Sequence, residues 1–157
     1  MRLLSPSEFS IRLSQPYTSK NLATSEILFD DTPTGIILTG QVLEAALEWC
    51  DYTVAFLTDD IIHEDMLRIY MFNANHQVID SAVLGAMYST GVFRDLNLIE
   101  PNTLTFTFIG GITWRLILLP EAEFSLPFIS DPRGVSRPLK FFRRFRLLGK
   151  PLPETSR

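Results

Sequence analysis

Residues 103–116 alternate between apolar and polar side chains around a central glycine pair, and this pattern leaves few folds open to the chain. In Thr103-Leu104-Thr105-Phe106-Thr107-Phe108 every second residue is apolar, so Leu104, Phe106 and Phe108 share one face of an extended strand. Ile112, Trp114 and Leu116 do the same in the following run. A two-residue turn at Gly110-Gly111 would set Phe106 opposite Arg115 and bring the two apolar faces into conflict. A three-residue loop, Ile109-Gly110-Gly111, pairs Phe108 with Ile112 and Phe106 with Trp114. A slip of one residue turns every side chain to the opposite face, so the pattern selects the longer loop, with a glycine in the left-handed position.

The same reasoning predicts a second hairpin from Leu67–Phe72 and Gln77–Val83 around Asn73-Ala74-Asn75-His76. Pairing Phe72 with His76 sets Ile69 opposite Ile79 and Arg68 opposite Asp80, with Asn75 in the left-handed turn position. Two further strands are expected at Gly35–Thr39 and Tyr52–Thr58. The segment Gln41–Cys50 reads two ways. As a helix it groups Val42, Leu43, Ala46, Leu47 and Cys50; as a strand it groups Leu43, Ala45, Leu47 and Trp49, with Glu44 and Glu48 opposite in both cases. Its Ala, Leu and Glu content favours helix, but its position between two strands without a breaker favours strand, which we adopt.

Proline divides the chain. Between Gly35 and Leu119 only Pro101 occurs, while Pro6, Pro16 and Pro33 precede that stretch and Pro120, Pro127, Pro132, Pro138, Pro151 and Pro153 follow it. Proline cannot donate to a sheet ladder and is excluded from central strands. Residues 35–119 are therefore expected to form the regular core, with an extended N-terminal arm (1–34) and a basic, proline-rich C-terminal arm (120–157). At 157 residues the chain suits a single domain. Six or more short strands joined by hairpins predict a mainly β fold, an antiparallel β-sandwich or barrel-like sheet; a helix at 41–50 would make it α+β instead.

Charge is segregated along the chain. No Lys or Arg occurs between Lys20 and Arg68, a stretch holding Glu26, Asp30, Asp31, Glu44, Glu48, Asp51, Asp59, Asp60, Glu64 and Asp65. Arg133, Arg137, Lys140, Arg143, Arg144, Arg146 and Lys150 then crowd the C-terminal segment. The single cysteine, Cys50, rules out an internal disulfide and reads as a small buried hydrophobe. Met1-Arg2-Leu3-Leu4 gives way at once to Ser5-Pro6-Ser7-Glu8, too short an apolar run for a signal peptide, and no run reaches the roughly 18 apolar residues of a membrane helix. A cytoplasmic location is expected.

Two segments could carry chemistry. Asp59, Asp60, His63, Glu64 and Asp65 place four carboxylates and an imidazole in one loop, the donor types that hold divalent metals. Their spacing fits no calcium loop, and the simpler expectation is a solvated connection with no metal and no cofactor. No Gly-x-Ser-x-Gly elbow and no phosphate-binding glycine loop occurs. In the basic arm, Arg137, Lys140, Phe142, Arg143, Arg144 and Arg146 interleave cations with aromatics. Such a segment can meet nucleic acid or an anionic membrane, but the pI of about 5.1 argues against a nucleic-acid domain. We expect Leu139, Phe141 and Phe145 to pack on the core, the arginines to meet the acidic stretch 26–65, and an exposed aromatic beside arginine to form a protein-binding surface. The leading expectation is a non-enzymatic protein–protein interaction module: an adaptor, inhibitor or assembly subunit that binds itself or another protein. The alternatives are a metal-dependent or hydrolytic enzyme built on the loop 59–65 and a small-ligand-binding sandwich.

Overall fold

A computed structural model describes residues 1–85, 91–127 and 129–151; the last part of the expected C-terminal arm, 152–157, lies outside them. The strands are β1 (Arg2–Leu3), β2 (Phe9–Gln15), β3 (Thr24–Phe29), β4 (Thr32–Thr39), β5 (Val42–Trp49), β6 (Tyr52–Thr58) and β7 (Leu67–Phe72). They continue with β8 (Val78–Leu84), β9 (Arg94–Ile99), β10 (Thr103–Thr107), β11 (Thr113–Phe124), β12 (Val135–Ser136) and β13 (Phe142–Leu148). Among the described residues there is no helix, and so none long and apolar enough to cross a membrane.

The strands form three antiparallel sheets, with orders β1-β5-β6-β7-β8-β12, β13-β11-β10-β9 and β2-β3-β4. The six-stranded sheet lies in the middle. On one face, Leu47, Val54, Phe56, Ile69, Met71 and Leu84 pack against Leu104, Phe106, Trp114, Leu116, Phe145 and Leu147 of the four-stranded sheet. On the other face, Ala46, Ala55, Leu57 and Phe72 pack against Phe9 and Ile27 of the three-stranded sheet. The fold is thus a mainly β stack of three layers, and its central strands are apolar on both sides. In β6, Val54 and Phe56 enter one core while Ala55 and Leu57 enter the other.

Where a sheet is covered on one face only, alternation predicts register correctly. β10 and β11 pair Phe106 with Trp114 and Leu104 with Leu116, as expected, and Gly110 and Gly111 both have positive φ in the connecting loop. The segment 42–49 is a strand, as adopted. A bulge between Leu43 and Ala45 modifies its pattern: Ala45, Leu47 and Trp49 face one core, and Leu43 is turned to the other.

The second hairpin departs from its expected register. β7 and β8 pair Ile69 with Ala82 and Arg68 with Val83, and the last pair is Phe72 with Val78. The turn closes at Asn73 and Gln77, with Asn73 Oδ1 accepting from the backbone N–H of both Asn75 and Gln77. His76, not Asn75, takes the left-handed position. One face of β7 is buried and the other, with Arg68, Tyr70 and Phe72, is covered at least in part, so alternation constrains its register little, and the Asn73 turn decides it.

Three other expectations are corrected. Regular structure extends well outside 35–119: β2 and β3 of the expected N-terminal arm build the third layer, and β13 of the expected C-terminal arm is a full strand beside β11. Cys50 is exposed rather than buried, because it sits at positive φ in the tight turn closed by Trp49 and Tyr52. Among the described residues, the acidic stretch 26–65 forms its ion pairs with Arg2, Arg12 and Arg68 rather than with the basic arm, whose Arg144 reaches that stretch at the Tyr52 hydroxyl instead.

Candidate interaction surface

The length mismatch between β10 and β11 positions the site. β10 pairs with Thr113–Ile117 only, so the rest of β11 runs on past its neighbour and is accompanied by β13 alone. The register of this pair shifts between Leu118 and Glu123, where Pro120 interrupts the ladder, and then resumes with Glu123 opposite Arg143 and Phe124 opposite Phe142. The Ser125 N–H donates to the Phe141 carbonyl at 2.8 Å and continues the ribbon by one step. Its tip carries three phenylalanines that are 64% (Phe124), 55% (Phe141) and 60% (Phe142) exposed. Phe124 stacks on Phe141 with ring centroids 6.4 Å apart and meets Phe142 edge-on at 6.0 Å. Leu126, Ile129 and Leu139, neighbours in sequence, are exposed as well. Single exposed hydrophobes are common on protein surfaces, but mutually packed exposed rings are not.

Beneath the ribbon lies a buried ionic cluster centred on Asp80 of β8, which is 1% exposed. Asp80 Oδ2 accepts from Arg137 Nη2 at 2.6 Å and from the Arg144 backbone N–H at 2.7 Å. Asp80 Oδ1 accepts from the Ser81 N–H at 2.8 Å and stands 3.6 Å from Arg143 Nη1. Arg137 also donates to the carbonyls of Phe145 and Ser81, lies over the Phe145 ring at 4.2 Å, and has Asp131 at 3.6 Å. Burial lowers the Arg137 pKa and the Asp80 carboxylate opposes the fall. Arg144 donates to the Tyr52 hydroxyl at 2.6 Å and lies over its ring. One carboxylate on the central sheet thereby joins β8 to β13 and to the segment leading into it. Arg143 Nη2 donates to the Pro138 carbonyl at 2.7 Å, but its Nε and Nη1, and Arg144 Nε, are buried without a hydrogen-bond partner. A cavity of about 100 Å³ adjoins the cluster, lined in part by Phe124, Ser125, Ser130, Asp131, Arg137 and Arg143.

The six arm residues singled out from sequence therefore separate. Lys140, Phe142 and Arg146 are exposed, Arg144 is half-buried, and the side chains of Arg137 and Arg143 are inside. Of the three residues expected to pack on the core, only Phe145 does so; Leu139 and Phe141 are exposed. Asp80 was missed as a functional residue. It is the only charged residue in the apolar run Val78–Leu84, and a lone acid there is itself the signal of a buried cation nearby.

The loop 59–65 is organised around its own backbone. Asp59 is buried and forms a two-pronged pair with Arg68 Nε and an η nitrogen at 2.8 and 2.9 Å. Burial works against the Arg68 charge, but the Asp59 fork outweighs it and raises the guanidinium pKa. Asp65 Oδ1 accepts from the N–H groups of Asp59, Asp60 and Met66. Burial nevertheless raises the Asp65 pKa. Asp60 and His63 have positive φ, and His63 and Glu64 are exposed. Among the described residues, no three His, Cys, Asp or Glu side chains converge as a metal site requires.

No family model, no curated protein and no solved structure matches this chain.

Proposed function

We propose that the protein is a protein–protein interaction module that docks a partner protein on the ribbon tip formed by β11 and β13. The observation that carries this reading is the exposed cluster of Phe124, Phe141 and Phe142. Aromatic side chains beside arginine are the composition of interface hot spots. Here the rings are already held against one another on paired strands, so little conformational freedom is lost on binding. Arg146 and Lys140 are exposed nearby in sequence and would supply a charged rim. The cluster contains neither Trp nor Tyr, the residues enriched where proteins meet a bilayer interface. The buried Asp80 cluster supports the same reading as scaffold, because it fixes the root of β13 to the central sheet.

Photo-crosslinking in the protein's own cells tests this. A benzophenone side chain is placed at position 142 and, as control, at Leu13 on the far three-stranded sheet. The proposal expects a crosslinked protein of discrete mass from position 142 and none from position 13. Crosslinks to lipid, or equal yields of protein from both positions, would refute it.

A further inference from the structure

One edge of β11 is left open where the strand outruns β10. Asn102, just before β10, takes both backbone groups of Leu118: the Leu118 N–H donates to the Asn102 carbonyl at 2.8 Å, and Asn102 Nδ2 donates to the Leu118 carbonyl at 2.9 Å. Beyond that point, among the described residues, no strand lies on this side of β11. Pro120 has no N–H, and its carbonyl accepts from Arg144 Nη2 at 3.1 Å. What remains open is Ala122–Phe124. Ser125 bonds to Phe141 and Glu123 lies opposite Arg143, and in an antiparallel ladder the residue between two hydrogen-bonded pairs points its N–H and C=O the other way. Phe124, and Ala122 by the same alternation, therefore turn their backbone groups away from β13. Such an unpaired row is a template for another strand, which natural edges blunt with proline and charge. Here the proline precedes the open stretch, and the charges are of one sign. Glu121 and Glu123 are exposed and form no ion pair with a described residue.

We propose that the edge at Ala122–Phe124 accepts an extended, basic segment of a partner protein as an added strand. This rests on the docking surface proposed above and specifies what the partner brings to it. The open backbone groups select an extended chain, since only a strand can meet N–H and C=O in alternation. The glutamates select its charge. Directly opposed side chains on paired strands stand about 4.5–5.5 Å apart at Cβ, so Lys or Arg on the added strand meets Glu123 and Glu121, while an acidic residue there is repelled. An apolar residue opposite Phe124 extends the row of rings that Phe142 and Phe124 begin. A second copy of the same edge is a poor occupant, because pairing Ala122 with Phe124 of the other copy sets Glu123 against Glu123.

Titration of the full-length protein with a capped peptide of alternating valine and lysine, and with its counterpart carrying glutamate for lysine, tests the proposal. The readouts are the NMR signals and hydrogen exchange of the Ala122 and Phe124 amides. Saturable shifts and slowed exchange at these two amides, with the lysine peptide bound about fivefold or more tighter than the glutamate peptide, are expected. Ala122→Pro removes an outward N–H without touching the β13 ladder and should weaken binding by a similar factor. Glu121→Lys combined with Glu123→Lys should invert the preference between the peptides, and this readout stands even if Ala122→Pro fails to fold. No saturation, equal binding of both peptides, or shifts confined to residues outside 121–124 would overturn strand addition. The crosslink from position 142 separates the two readings: a protein still captured there leaves the docking surface standing when strand addition fails, and its loss refutes the surface itself.

Discussion

Replacing Asp80 with alanine tests how β13 is held to the central sheet. The carboxylate is the direct counter-charge of Arg137 and lies 3.6 Å from Arg143, and all three are buried. Removing one partner of a buried ion pair costs about 3–5 kcal/mol, because the other charge is left uncompensated. The Arg144 backbone N–H would also lose its acceptor, a penalty of about 1–3 kcal/mol for a buried group. The two terms share one carboxylate and are not fully additive, so a loss of about 4 kcal/mol is expected. That is a large share of the roughly 5–15 kcal/mol by which a domain is stable. In urea, with a slope near 2 kcal/mol/M, the midpoint should fall by about 2 M. Asp80→Leu combined with Arg137→Met removes both charges and should recover at least about half of the loss, since apolar replacement of a buried pair is often neutral. A cost below about 1 kcal/mol for Asp80→Ala, or no recovery in the double variant, would refute this account of the cluster.

Three further outcomes follow from the geometry. Phe106→Ala should cost about 3–5 kcal/mol in denaturant unfolding and Thr105→Ala under about 1 kcal/mol, since only Phe106 faces the core; the reverse order would contradict the hairpin register. Asp65→Ala removes the acceptor of three backbone N–H groups and should cost about 1–2 kcal/mol by the same assay, whereas Asp65→Asn, which keeps the oxygen, should cost less. The Glu8 carboxyl is held down at about 2, from an ordinary 4.5, chiefly by its hydrogen bond from Arg2. A depressed folded pKa gives stability that is present above pH 4.5 and lost as pH falls toward 2. The thermal midpoint of Glu8→Gln should therefore fall less steeply than that of the native protein across that window, and parallel curves would contradict the Arg2 contact.

The hairpin of β10 and β11 was legible because its sheet is covered on one face, so Leu104, Phe106 and Phe108 had to alternate with threonine. β6 and β7 lie in the middle layer, where both faces are covered by a neighbouring sheet and period two carries little register. The turn residue Asn73, through its side-chain oxygen, set the pairing instead. The bulge at 43–45 was equally hidden, since Leu43 and Ala45 look alike in a pattern and differ only in which core they enter. In the basic arm, sequence identified residues that mark the site but not their depth. Arg137 and Arg143 look as solvated as Arg146 until β13 crosses beside β8 and meets Asp80. An exposed aromatic beside arginine was readable from Phe141-Phe142-Arg143, but the burial of Arg143, and the exposure of both rings, follow from the ribbon tip and from Asp80.

The claim that matters most is that the cluster of Phe124, Phe141 and Phe142 is a protein-binding surface. The most direct measurement is quantitative co-purification from the protein's own cells, comparing the native chain with a Phe124→Ser, Phe142→Ser variant whose fold is verified by its unfolding midpoint. Replacing exposed rings should leave that midpoint nearly unchanged, within about 0.5–1 kcal/mol, while hot-spot losses of about 2 kcal/mol or more each would reduce a bound partner at least tenfold. A stoichiometric protein, or a second copy of the chain, that is retained by the native surface and lost from the variant is the expected result. Equal recovery of the partner by both chains, or recovery of lipid or nucleic acid in its place, would contradict the account.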